Sequence, residues 1–173
     1  LMLLSACSSK KYLAEGEYLL DKVRITSDST FRQNTSMFSG YVRQQPNSRW
    51  VSMVKLPLGI YLMTSPESNT SFSKFIRKMG EAPVVYDTLL SERSRQRIQD
   101  AMFNMGYLHA TVTTHEQYLG HKVQVRYDIT PNERYHVESI DVVVRDTAIA
   151  REISLISDAS LLKEGIPLDA NLL

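Results

Sequence analysis

A chain of 173 residues, 43% of them hydrophobic, has the balance of an ordinary globular protein and room for one full domain plus part of another. Twenty basic and nineteen acidic residues nearly cancel, so there is no overall field to hold a polyanion and nucleic-acid binding is not expected. The apolar stretches fall short of the roughly 20 residues a membrane-spanning helix needs, and a single cysteine excludes an internal disulfide or a cysteine-rich zinc site.

Leu4-Ser5-Ala6-Cys7 follows an apolar start and precedes Ser8-Ser9-Lys10-Lys11. Small residues before a cysteine resemble a bacterial lipobox, which implies cleavage after Ala6 and a lipid anchor on Cys7. Each methylene of such a lipid contributes about 0.8 kcal/mol when buried, so several chains hold effectively permanently. The plain alternative is an incidental thiol near a frayed end. Residues 8 to 17 are polar and read as a tether between lipid and fold.

From Tyr18 the pattern changes. Leu19, Asp21, Val23 and Ile25 alternate with Leu20, Lys22 and Arg24, a period-two run that predicts a strand over 18 to 26. A helix is expected between Ser36 and Gln45, with Met37, Tyr41 and Val42 on one side and Pro46-Asn47 ending it. The run from Trp50 to Met63 is strongly apolar but interrupted by Pro57 and Gly59, so no regular helix is expected there. It reads either as an irregular segment packed over the core or as a partner-docking or membrane-facing surface, with Trp50, Leu58, Ile60 and Tyr61 as its contacts.

Phe72, Phe75, Ile76 and Met79 stand at helical spacing with Lys74, Arg77 and Lys78 opposite, predicting an amphipathic helix over 71 to 79 closed by Gly80, its apolar stripe in the core. Asp87 is a good N-cap for a second helix running to about Met105, with Leu90, Ile98, Ala101, Met102 and Met105 inward, Arg93, Arg95 and Arg97 solvated, and Gly106 as the stop. Leu108, Ala110 and Val112 then alternate, and after a turn at Leu119-Gly120 so do Val123, Val125, Tyr127 and Ile129, which predicts an antiparallel hairpin. Pro131-Asn132-Glu133-Arg134 resets the chain before a strand over Val137 to Val144, a helix near Ala148 to Ile156, and a turn at Lys163 to Asp169.

Strand, helix, helix, strand, strand, followed by a new strand and helix, resembles tandem polypeptide-transport-associated (POTRA) domains of the BamA/TamA superfamily. Arg43-Gln44-Gln45-Pro46-Asn47, Leu56-Pro57-Leu58-Gly59-Ile60-Tyr61, Arg77-Lys78-Met79-Gly80-Glu81-Ala82-Pro83-Val84 and Gly106-Tyr107-Leu108-His109-Ala110 are similar to the amino-terminal region of the TamL-type lipoproteins of Bacteroidota. The resemblance implies an α+β fold: a β-α-α-β-β unit with a three-stranded mixed sheet and helices on one face, from which this chain departs in the apolar and helical insertion of residues 50 to 83 that enlarges the unit. It divides the chain into a signal remnant, lipobox and tether (1–17), a first POTRA-like domain (18–131) and an incomplete second one (132–173). It further implies a place on the periplasmic face of the outer membrane, anchored through Cys7. The partners implied are unfolded outer-membrane proteins, a TamB-like periplasmic bridge, and the protein's own carboxy-terminal β-barrel, whose repeated ten-residue alternation is not found before Leu173.

No chemistry competes with binding. The four histidines, His109, His115, His121 and His136, lack compact ligand spacing, and no phosphate loop, nucleophile elbow or paired carboxylates are present, so neither catalysis, metal nor cofactor is expected. A small half-covered sheet does leave an edge open, where an extended peptide can add as a strand whatever its side chains. Each added hydrogen bond contributes about 0.5–1.5 kcal/mol against an association cost of about 4–15 kcal/mol, so binding is weak and reversible. The candidate strands are 18–26, through Val23, Arg24 and Ile25, and 121–130, through Lys122, Gln124 and Arg126. The competing readings are a structural spacer whose apolar insertion docks on a partner, and a POTRA unit from a cell-division or secretion protein.

Overall fold

The computed structural model describes residues 9–29, 31, 34–48, 56–145, 149 and 160–170. Cys7, Trp50 and the expected helix near 148–156, apart from Ile149, lie outside the described residues.

The elements keep the expected β-α-α-β-β order with a 3-10 segment in place of its first helix and a helical hairpin inserted before its second. Strand β1 spans Leu19–Ser27, helices α1, α2 and α3 span Leu56–Leu62, Ser71–Met79 and Thr88–Asn104, and strands β2 and β3 span Thr111–Leu119 and Lys122–Thr130. The sheet order is β1-β3-β2, with β1 parallel and β2 antiparallel to β3, which makes the fold α+β with a three-stranded mixed sheet. Short 3-10 helices occupy Ser9–Tyr12 and Thr35–Tyr41.

The alternation in β3 explains the main core. Val123, Val125, Tyr127 and Ile129 all point to one face, where they meet Leu20, Val112, and Ile98, Ala101 and Met102 of α3. Asp87 caps α3 by accepting from the amides of Leu89 and Leu90, as its position before the helix requires. Besides the expected Ile98, Ala101 and Met102, two serines of α3, Ser91 and Ser94, are buried. The Ser91 hydroxyl meets the buried Tyr127 hydroxyl at 3.0 Å, while Ser94 Oγ accepts from the Arg43 amide at 2.9 Å and donates to the Leu90 carbonyl. Both serine hydroxyls thus have partners, which offsets their desolvation penalty.

Leu19 points the other way, into a smaller cluster with Leu58 and Leu62 of α1, flanked by Tyr12 and Leu13. Here the expectation of an irregular segment is corrected at its second half, because residues 56 to 62 form a helix. Pro57 sits in the first turn, where its missing N–H has no intrahelical acceptor to lose. Gly59 costs about 1 kcal/mol relative to alanine, and the burial of Leu58 and Leu62, one turn apart, offsets it.

The segment before β1 is also no free tether. Tyr12 Oη lies 2.9 Å from the Thr64 hydroxyl and donates to the Thr64 carbonyl, its ring packs 5.2 Å from that of Tyr61, and the Lys11 amine bonds the Thr64 carbonyl. Residues 11 to 13 are therefore docked on the end of α1.

Three further expectations change. The helix expected over Ser36–Gln45 is the 3-10 segment Thr35–Tyr41, since Asn34 caps it and the Val42 backbone is extended. The stripe of α2 is not core: Phe72, Phe75 and Met79 are 72%, 59% and 59% exposed, whereas Ser73 is 8% exposed. The strand expected over Val137–Val144 does not form within the described residues. Only its start pairs, where the Val137 amide donates to the Ile166 carbonyl and the Leu168 amide to that of Tyr135. No described segment lies alongside 138–144 to take its hydrogen bonds.

Gly106 joins that later segment to the first unit. Its φ of +87° ends α3 in the left-handed region, and a Cβ there would stand 2.3 Å from the Leu168 carbonyl oxygen. Only glycine fits both demands.

Candidate strand-addition site

Central placement of β3 corrects one candidate strand. Its main chain is bonded to β1 on one side and β2 on the other, so Lys122, Gln124 and Arg126 cannot recruit a peptide through their backbone. Their side chains instead stand on the uncovered face, where Lys22, Arg24, His115, Gln124 and Arg126 line a shallow depression of about 270 Å³. Asp128 on this face accepts from Thr26 and from Arg126 at 2.9 Å and lies 3.3 Å from His115. Partial burial opposes its ionisation, but those hydrogen bonds and the Arg126 charge outweigh it and hold the carboxyl below its usual range.

Strand β1 is an edge, and its first half is already covered. The Leu20 amide donates to the Val84 carbonyl at 2.8 Å and the Tyr86 amide to the Tyr18 carbonyl at 2.7 Å, with Leu19 bridged to Val85. Two amide side chains hold this covering strip. Asn47, almost fully buried, donates to the Ala82 carbonyl at 2.7 Å and accepts from the Val84 amide at 3.1 Å. Gln44 donates to the Val85 carbonyl and accepts from the Asp87 amide. Gln44 and Asn47 of the Arg43-to-Asn47 motif thus serve as a clamp on residues 82 to 87.

Beyond the bulge near Asp21, the inward-facing amide of Asp28, bonded to the Ile129 carbonyl, sets the alternation, so Val23 and Ile25 turn their main chain outward. The Thr35 hydroxyl takes the Ile25 carbonyl at 3.2 Å. Val23 and Ile25 also border a groove of about 260 Å³ whose other wall includes Thr35, Ser39 and Val42. Arg24 sends its side chain to the opposite, uncovered face.

Strand β2 is the other edge, and the sequence reading did not single it out. A two-residue turn joins Leu119 to Lys122, so alternate residues Val112, Thr114, Glu116 and Tyr118 direct their N–H and C=O groups away from β3. Arg95 bonds the Val112 carbonyl at 3.3 Å. Among the described residues nothing bonds the outward main chain of Thr114, Glu116 or Tyr118.

The Glu116 side chain draws in two phenols, accepting from Tyr86 on one oxygen and Tyr118 on the other. Burial and that bond push the Tyr86 phenol well above its ordinary value, and the bond to Glu116, then burial, push Tyr118 up to about 12. Tyr118 also meets the edge of Tyr18 at 4.7 Å between ring centroids.

No protein-family model matches this chain, and no curated protein matches its sequence. Its structure is similar to the crystal structure of POTRA domains 3 to 5 of BamA from Haemophilus influenzae, with 16% sequence identity and a TM-score of 0.46 over 92% of this chain and 52% of that one. The chain thus spans about half the length of that structure.

Of the apolar candidates, Leu58 is buried on the inner side of α1 against Leu19 and offers no surface, and Tyr61 is spent on Tyr12 and on Gly80. Ile60 is half-buried. The histidines are dispersed: His109 pairs with the Tyr135 hydroxyl, His115 with Asp128, and His121 sits in the β2–β3 turn. Among the described residues no three histidine, cysteine or acidic side chains converge, and no helix is long and apolar enough to cross a membrane.

Proposed function

We propose that this chain is a non-catalytic, protein-binding segment of an outer-membrane protein assembly or translocation factor. Its POTRA-like unit, residues 18–131, receives an extended polypeptide as a fourth strand, and residues 132–173 begin a second unit. Support comes from the motif resemblance, the β-α-α-β-β order and, above all, the outward main chain of β2 between Thr114 and Tyr118. Strand addition reads backbone geometry, which suits unfolded outer-membrane proteins of diverse sequence or a TamB-like bridge. The β1 edge, at Val23 and Ile25 beside its groove, is a second and shorter docking place. Acylation of Cys7 would hold the unit at the periplasmic face of the outer membrane, next to the protein's own β-barrel.

Proline separates the backbone from the side chain at β2. Glu116→Pro removes an N–H that points away from β3, so the sheet ladder survives, while Glu116→Ala removes the carboxylate and keeps the N–H. In-cell photocrosslinking of unfolded outer-membrane protein should fall sharply in Glu116→Pro and persist in Glu116→Ala. Undiminished capture by both Glu116→Pro and Val23→Pro would overturn the reading.

A further inference from the structure

Helix α2 is a folded, basic, amphipathic element whose residues Phe72, Phe75 and Met79 stay mostly exposed, while Ile76 is half-buried. At about 100° per residue, Phe72, Phe75 and Met79 form one stripe, while Ser73 lies about a third of a turn away and faces inward. The reason for this orientation is polar. Ser73 Oγ is 2.8 Å from Ser68 Oγ and 2.9 Å from Thr70 Oγ1, and Arg77 reaches back to the Ser68 carbonyl. Behind the helix, Gly80 lies so close to Tyr61 that a Cβ would stand 2.6 Å from its amide. The hydroxyl cluster and this contact seat the helix on α1 and leave its rings outward, together with Met63, which is 73% exposed.

We propose that the α1–α2 hairpin lies on an anionic phospholipid leaflet, with Phe72, Phe75 and Met79 at the headgroup–acyl boundary and Lys74 and Lys78 on phosphates. Charge favours lipid over a protein groove. Between Leu56 and Gly80 there are three basic residues, Lys74, Arg77 and Lys78, and one acid, Glu67, which is off the helix. An apolar stripe bordered by lysines is the composition of an interfacial helix.

Covalent reach gives a second argument. Cys7 lies two residues before Ser9, a span of at most ~7 Å, and Lys11 and Tyr12 are bonded to the Thr64 end of α1. A lipid on Cys7 would enter the membrane beside this hairpin. That step rests on the acylation proposed above; the exposed stripe and its charges do not.

The full chain carrying Cys7→Ser removes the acyl contribution and separates the two ideas. It should co-sediment with vesicles of phosphatidylethanolamine and phosphatidylglycerol more strongly than with phosphatidylcholine, and added salt should weaken it. Lys74→Gln with Lys78→Gln should lower partitioning on anionic vesicles by about tenfold or more, and Phe72→Ser with Phe75→Ser should abolish it with the circular dichroism unchanged. Equal partitioning of the phenylalanine variant and the parent would overturn the proposal. So would absence of vesicle binding, whether the chain is monomeric or forms a dimer that the same variant dissolves. Undiminished client capture by Glu116→Pro and Val23→Pro, with vesicle binding intact, would overturn the strand-addition reading and leave this inference standing by itself.

Discussion

Helices α3 and α2 present the same kind of periodicity and bury opposite things. In α3, Ile98, Ala101 and Met102 enter the core and two serines go with them, each hydroxyl partnered. In α2 the phenylalanines stay outside and a serine goes in. An apolar stripe reports which side of a helix avoids water, but whether that side faces protein depends on what the neighbouring element supplies. Beside α3 stands the apolar face of β3; beside α2 stand the hydroxyls of Ser68 and Thr70.

The largest expected effect lies on the α3 side. Ile98 is fully buried against β3, so Ile98→Ala should cost about 2–5 kcal/mol in denaturant unfolding. A cost under 1 kcal/mol would mean that α3 is no better packed than α2, and the contrast would collapse.

The clamp on the covered edge comes next. Asn47→Ala deletes a donor to the Ala82 carbonyl and an acceptor for the Val84 amide inside a buried site. The expected cost is about 1–3 kcal/mol, with faster hydrogen exchange at Leu20 and Tyr86, whose amides depend on that strip. Exchange at those amides unchanged by the mutation would show that the strip holds β1 without Asn47.

On the α2 side the same experiment should show almost nothing. Phe75→Ser is expected to stay within about 0.5 kcal/mol of the parent, because the ring is 59% exposed. A loss of 2 kcal/mol or more would place Phe75 in a core and remove the basis for a membrane-facing hairpin.

The legible and illegible parts of the sequence divide along the same line. Strands β1 and β3, the span and cap of α3, and the span of α2 could be read because alternation, an N-cap aspartate and glycine stops are local signals. The α1 helix was missed because Pro57 and Gly59 were weighed as breakers without regard to position, although Pro57 falls in a first turn. The β2 edge was missed because edge status depends on sheet order, and the parallel pairing of β1 with β3 joins residues over a hundred positions apart. The Gln44 and Asn47 clamp was visible only as a motif, since its targets at 82–87 lie far along the chain.

The smallest effect tests the uncovered β2 edge against the covered β1 edge, because Glu116 on β2 ties Tyr118 beside it to Tyr86 on the covering strip. A phenol whose pKa is raised in the folded state holds its proton there after the unfolded chain has lost it. Its contribution to stability is therefore complete below pH 10.0 and is lost as pH rises towards about 12. Because the Tyr118 ring is about half exposed, the loss should be slight and best followed as tyrosinate absorbance. Tyr118→Phe should remove a late step near pH 12, and Glu116→Gln should bring that step down towards the ordinary tyrosine value. If Glu116→Gln leaves the step in place, the carboxylate is not what holds the two phenols. The fixed arrangement of side chains that borders the open main chain of β2 would then need another source.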